Sequence, residues 1–177
     1  MRQIPQSVLI TRHDKIGDFV LALPLGKAIK TQYPDVELSV LVAPVNEAFA
    51  REIPFIDKVV CCHPQAPKKT LQALRELRPE ASISCFIDTG LGHLLHKSGI
   101  RTRIAPATKL AQLFFNRRVK QRRSRVEKPE YLYNLELGRA LFADLSMELH
   151  PPVLSFVEPK LGKRKRVAFH PGFGGSS

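Results

Sequence analysis

The sequence predicts an α/β protein built on a Rossmann-like, doubly wound parallel sheet, and three observations carry that expectation. Short runs rich in apolar and β-branched residues recur at 8–10, 37–42, 58–62 and 82–88, the pattern of strands buried on both faces. Segments of helical periodicity lie between them. The alternation repeats from the start of the chain, which implies βαβ units, parallel pairing and right-handed crossovers.

The first unit, VLITRHDKIGDFVLALPLGKAIK over 8–30, organises the rest. Val8, Leu9 and Ile10 form the strand. Arg12, His13, Asp14 and Lys15 make a charged turn, Gly17 is expected to allow a tight bend, and Asp18 stands where a helix begins. Leu21, Leu25, Ala28 and Ile29 then recur at helical spacing. Pro24 removes a backbone donor, so it either kinks this helix or opens a later one. A carboxylate in a first helical turn is often only a cap or a dipole partner. Here Asp18 also falls outside the carboxyl end of a strand, where open α/β sheets bind ligands.

The remaining elements follow in order. Tyr33, Pro34 and Asp35 end the first helix, because the residue before proline is pushed out of helical geometry. A strand at 37–42 precedes a short helix at 47–51. The strand at 58–62 leads through HPQAPKK to a helix over 70–77, with Leu71, Leu74 and Leu77 on one side. The strand at 82–88 ends in a second acid, Asp88, followed by Thr89, Gly90, Leu91 and Gly92, so Asp88 and Asp18 are expected to face one crevice. A short fifth strand is expected at 100–104, and an amphipathic helix over 131–142.

A chain of 177 residues, 44% hydrophobic, can bury one good core. It contains no apolar run long enough to cross a membrane as a helix. No stretch of signal-peptide length precedes the charged turn, so a cytoplasmic location is expected. Cys61, Cys62 and Cys85 make no disulfide framework and read as buried thiols. His93 and His96 share a helix face, but nothing nearby supplies a third ligand, so no metal is expected.

Charge is the most uneven feature. The net charge is +12, from 28 basic and 16 acidic residues, which favours anionic partners such as phosphorylated substrates, membrane or nucleic acid. Between Asp88 and Glu127 there is no acid, while ten basic residues occur there, including Lys109, Arg117 and Arg118. An unneutralised field of this kind attracts phosphate oxygens, although a solvated face is the simpler explanation for any charge run.

Proline, charge and lost periodicity mark a linker over 151–165. A new apolar strand begins near 167 and runs into HPGFGGSS. Strand followed by glycine-rich loop is how backbone amides reach a phosphate, usually with a helix behind them. We therefore expect 1–150 to be one lobe and 166–177 the opening of a second α/β lobe, with the chain a truncated piece of a longer protein.

The string R-x-x-x-x-G-D-x-V-L-x-x-P-L, here Arg12, Gly17, Asp18, Val20, Leu21, Pro24 and Leu25, resembles the amino-terminal signature of glycosyltransferase family 9, the family of the ADP-heptose:lipopolysaccharide heptosyltransferases. IDKVV, RTRI followed by LAQLFFNRR, and VAFHPGFGGSS resemble three further segments of that family. The string from Asp88 to His93 also matches a D-T-G-x-x-H motif of the family's carboxy-terminal lobe, but RTRI follows it, so the match reads as coincidence.

The resemblance implies a GT-B architecture of two Rossmann-like lobes, with this chain supplying the amino-terminal, acceptor-binding one. It implies inverting, metal-independent transfer of heptose from an ADP-heptose-like donor to an anionic lipopolysaccharide inner-core acceptor, with no cofactor. Asp18 matches the catalytic base, which takes the proton of the attacking hydroxyl. His13, Asp14, Lys15, Gly17, Asp88 and Thr89 would line the cleft, and Lys109, Arg117 and Arg118 would hold acceptor phosphates. Gly172, Gly174, Gly175 and Ser176 would cradle the donor diphosphate. Peripheral contact with the anionic inner membrane is compatible with this role.

The competing reading is a polyanion-binding module without catalysis. Nucleic acid fits it poorly: aromatic residues are 7% of the chain, and none interleaves with the arginines as a stacking platform.

Overall fold

A computed structural model of the protein describes residues 4–108 and 110–149. Lys109, the 151–165 linker and the loop carrying Gly172, Gly174, Gly175 and Ser176 lie outside the described residues.

Six parallel strands form one sheet in the order β3-β2-β1-β4-β5-β6. They are β1 (Ser7–Arg12), β2 (Glu37–Val42), β3 (Lys58–Cys61), β4 (Ala81–Ser84), β5 (Thr102–Pro106) and β6 (Arg117–Val119). This is the classic Rossmann order, in which the winding reverses between β1 and β4. The reversal is locked by register, with Val8 opposite Ala81 and Ile10 opposite Ile83.

The alternation of side chains across the strands builds two cores. Val8, Ile10, Leu38, Val40 and Ile83 point to one face and pack with Leu25, Ile29, Leu135 and Leu145. That face is covered by α2 (Leu23–Gln32), α3 (Glu47–Arg51) and α6 (Glu130–Arg139). Leu9, Leu41 and Ala105 point the other way, against Leu74, Leu91, Leu95 and Phe115. The second face is covered by α4 (Pro67–Leu77), α5 (Thr89–Lys97) and a 3₁₀ turn, Leu110–Phe114. The doubly wound sheet expected from the sequence is therefore present.

Particular residues set where the elements end. Of the two roles open to Pro24, the second holds: it lies in the first turn of α2, leaving Ile16–Val20 as a separate short helix, α1. Strand β4 stops at Ser84 rather than continuing to 88. The N–H of Cys85 still donates to the Thr11 carbonyl at 3.0 Å, but the Cys85 carbonyl accepts from Arg12 and Arg123, both at 3.2 Å, and the chain turns away. β6 was not expected at all. Its three residues are edge-strand material, and Arg117 and Arg118 serve the edge by discouraging further pairing.

Two glycines mark close approaches. A Cβ on Gly138 would lie 2.5 Å from both Leu25 and Leu145, so α6 reaches α2 only because that position is bare. A Cβ on Gly92 would lie 2.8 Å from Phe114, the residue that seats the 3₁₀ turn on α5. Gly17 differs from expectation. It sits inside α1 with nothing within 4 Å of its Cβ position and without a left-handed φ, so no tight bend depends on it.

Candidate functional site

The charged turn after β1 lies at the carboxyl edge of the sheet, beside the reversal in strand order. At its centre is Arg12, the last residue of β1 and only 5% exposed. Its guanidinium pairs with Asp14 at 2.8 Å, Asp18 at 2.8 Å and Glu130 at 3.2 Å, and also donates to the Cys85 carbonyl. Burial disfavours that charge, but Asp14, with Cys85 and Asp18 contributing, outweighs it and raises the Arg12 pKa. A buried guanidinium with its donors met by acids and a carbonyl is a satisfied charge, not a vacant one.

Asp18 is the third residue of α1, and 35% of its side chain remains exposed. Arg12 holds the carboxylate by Oδ1, and no further partner is seen among the described residues. The acid is thus fixed in position and still open to solvent, the combination a proton acceptor requires.

The second connection across the reversal is His13 with Asp88. Nε2 of His13 lies 2.7 Å from Oδ2 of Asp88, joining the β1 loop to the β4 loop. Oδ1 of Asp88 accepts from the Leu91 N–H at 2.8 Å and so caps α5. Burial alone would push the Asp88 carboxyl up, but the Leu91 amide and the His13 ring outweigh it, so the carboxyl is held below its ordinary value. His13 Nδ1 is buried without a partner. Thr89, the first residue of α5, is exposed, as is Lys15 at the amino end of α1.

Asp14, Asp18, His13, Lys15, Gly17, Asp88 and Thr89 are therefore brought to one edge of the sheet. Arg117 and Arg118 are not in that group. Arg117 donates to the Ala140 carbonyl at 3.3 Å and lines a cleft of about 900 Å³ at the opposite, amino end of the sheet, together with Arg75, Arg78 and Arg101. Arg118 is exposed on β6. The basic run is also less free than its composition suggests. Arg103 donates to the Phe114 carbonyl at 2.8 Å and to that of Ile100. Arg123 pairs with Glu130 and reaches Gln121 and Asn134.

Sequence reasoning missed three residues of this edge. Glu130 is shared by Arg12 and Arg123. Asn46, fully buried, donates to the Asp14 carbonyl at 3.2 Å, and Asn134 donates to the Leu21 carbonyl at 2.9 Å. Only Glu130 carried a usable signal, as an acid opening a helix directly after a long acid-poor run.

Of the cysteines, Cys62 and Cys85 are buried as expected, while Cys61 is half-buried, with its sulfur 4.0 Å from His63 Nδ1. Burial pushes both the Cys62 and Cys85 thiols up to about 11. Among the described residues no group of three His, Cys, Asp or Glu side chains is placed to hold a metal, and no helix is long and apolar enough to cross a membrane.

No protein-family model matches the chain. A curated protein of Haemophilus influenzae, provisionally named a glycosyltransferase, is 35% identical over 193 aligned positions, covering 97% of this chain and 56% of that protein. Among solved structures, Escherichia coli ADP-heptose lipopolysaccharide heptosyltransferase II superposes with a TM-score of 0.72 at 16% identity, over 86% of this chain and 47% of that one. E. coli heptosyltransferase WaaC with ADP gives 0.69 at 17%, over 80% and 48%. A glycosyltransferase family 9 protein from Veillonella parvula gives 0.66 at 12%, over 81% and 43%. The chain is similar in sequence to a glycosyltransferase and shares its fold with family 9 glycosyltransferases.

It has the fold of their amino-terminal lobe, the lobe of a GT-B protein, as its motifs led us to expect. The chain spans about half the length of the curated relative and of the solved structures it matches. These likenesses favour a glycosyltransferase over a polyanion-binding module. The segment from Asp88 to His93 forms the start of α5 inside the first-lobe sheet, where the sequence placed it.

Proposed function

We propose that the chain is the acceptor-binding lobe of a heptosyltransferase, spanning 1–150, followed by a linker at 151–165 and the first strand and phosphate loop of a donor lobe at 166–177. The whole protein would transfer heptose from ADP-heptose to a hydroxyl of the lipopolysaccharide inner core, inverting the anomeric centre without a metal. One observation carries this reading: of the three carboxylates held by a buried arginine at the carboxyl edge beside the strand-order reversal, Asp18 is the most exposed, with over a third of its side chain open. Support also comes from the E. coli enzyme WaaC, solved with ADP and with ADP-2-deoxy-2-fluoro heptose.

In this mechanism the acceptor hydroxyl approaches Asp18 over the open backbone at Gly17. Asp18 takes its proton as the oxygen attacks the anomeric carbon, which raises the nucleophilicity of an otherwise poor attacker, while the bond from that carbon to the diphosphate oxygen breaks on the opposite face and ADP leaves. Arg12 keeps the carboxylate in place, and Glu130 and Asp14 share the guanidinium so that it does not neutralise Asp18 alone. His13, Asp14, Lys15, Asp88 and Thr89 line the acceptor side, and Lys15 supplies positive charge toward acceptor phosphates or acidic sugars. Lys109 would extend that field, whereas Arg117 and Arg118 would serve the strand edge. In the second lobe, Gly172, Gly174, Gly175 and Ser176 let the diphosphate approach the backbone. The protein would act in the cytoplasm in peripheral contact with the anionic inner membrane, where its acceptor is anchored.

A polypeptide carrying both lobes tests this directly. Incubated with ADP-heptose and heptose-deficient lipopolysaccharide, it should release ADP in step with incorporation of an anomerically inverted heptose. Transfer from a different nucleotide sugar, with none from ADP-heptose, would contradict the donor assignment.

A further inference from the structure

The 3₁₀ turn Leu110–Phe114 exposes the wrong residues for a water-facing connection. Side chains three apart eclipse one another in a 3₁₀ helix. Ala111 and Phe114 turn inward, and Phe114 packs on α5 against the bare Cα of Gly92, with the His93 and His96 rings 6.0 and 6.3 Å from its own. The other pair turns outward together: Leu110 is 84% exposed and Leu113 74%. Solvent-exposed leucines side by side on a seated turn mark a surface that meets something apolar.

The surroundings are basic. His93, His96 and Lys97 on α5 are exposed. Arg118 stands opposite Ala105 in register, so its side chain is on the sheet face that Ala111 and Phe115 cover. No acid occurs in the sequence between Asp88 and Glu127. An apolar tip inside an acid-free basic collar is complementary to the headgroup and upper acyl region of an anionic bilayer.

We propose that this turn is a membrane anchor, with Leu110 and Leu113 entering an anionic leaflet while Arg118 meets the lipid phosphates. The inference rests on the peripheral membrane contact proposed above and adds its location and its apolar component. The turn leaves the carboxyl end of β5, the same edge of the sheet that carries Asp18. Anchoring there would hold the crevice close to the surface at which a lipid-linked acceptor stands.

The absence of tryptophan from the chain allows a site-specific test. Leu113→Trp introduces a single emitter at the anchor, and Ile4→Trp places one at the amino end of the sheet, where Ile4 is 53% exposed. With phosphatidylcholine vesicles containing phosphatidylglycerol, the Leu113→Trp emission should shift to the blue and be quenched by brominated acyl chains, and the Ile4→Trp emission should do neither. A Leu110→Ser, Leu113→Ser double variant should partition at least about tenfold less, and Arg118→Glu roughly fivefold less or lower.

Vesicle binding without a shift or quenching at position 113 overturns the anchor but leaves peripheral contact standing. Absence of any binding overturns both. Equal insertion into pure phosphatidylcholine contradicts the charge argument, and a blue-shifted emission before vesicles are added would mean that a second copy covers the turn.

Discussion

The two ends of the sheet are both rich in arginine, and they use it differently. At the carboxyl end Arg12 and Arg123 are drawn inward by Asp14, Asp18 and Glu130, and the charges interlock. At the amino end Arg75 and Arg117 donate to main-chain carbonyls of Lys97 and Ala140, while Arg78 and Arg101 are exposed beside a single acid, Glu80. Positive charge alone therefore does not mark the site. What distinguishes the carboxyl end is a carboxylate held in place by a buried cation and still reachable from solvent.

That contrast can be broken by substitution. Arg12→Met strands Asp14 and Asp18 beside an apolar side chain and leaves Glu130 to Arg123 alone, and loss of a buried ion-pair partner costs about 3 kcal/mol or more. Denaturant unfolding should show this as a clearly lower midpoint. If the midpoint stays put, Arg12 is not the hub of the edge.

A smaller effect should come from Asp88. Its folded-state carboxyl is held below the ordinary value, so it adds stability above the unfolded pKa of about 4 that is lost as pH falls through the folded one. Asn can still cap α5, so Asp88→Asn should flatten the acid limb of the stability profile while leaving α5 in place. With 45% of the side chain exposed, solvent screening limits the effect to less than about 1 kcal/mol. An acid limb unchanged by the substitution would remove the His13 pair from the stability of the edge.

The smallest effect is expected at the amino end. Arg101→Ala removes an exposed cation with no acidic partner among the described residues, and its midpoint should move by less than about 0.5 kcal/mol. A loss comparable with that of Arg12→Met would erase the difference between the two ends.

Local pattern carried the fold well where it had something periodic to act on. Strand β2 was legible to its last residue because ELSVLV lies between a proline turn and Pro44. β6 was not, since three residues with two arginines show neither alternation nor an apolar run. The site was half legible. Asp18 and Asp88 could be assigned to one crevice from their places after β1 and β4, but the Arg12–Glu130 pair spans 118 residues, and no local rule predicts a contact of that range. The basic run misled in a specific way, because composition cannot separate an arginine that satisfies an internal carbonyl, such as Arg103, from one that faces solvent.

The role of Asp18 is tested most directly by Asp18→Asn in a polypeptide carrying both lobes, assayed for glycosyl transfer with circular dichroism and unfolding midpoint checked in parallel. Asparagine keeps the size and one acceptor oxygen but cannot take the proton. The expected result is a fall in turnover of about a hundredfold or more with the fold intact; near-normal turnover would contradict the assignment of Asp18 as the base.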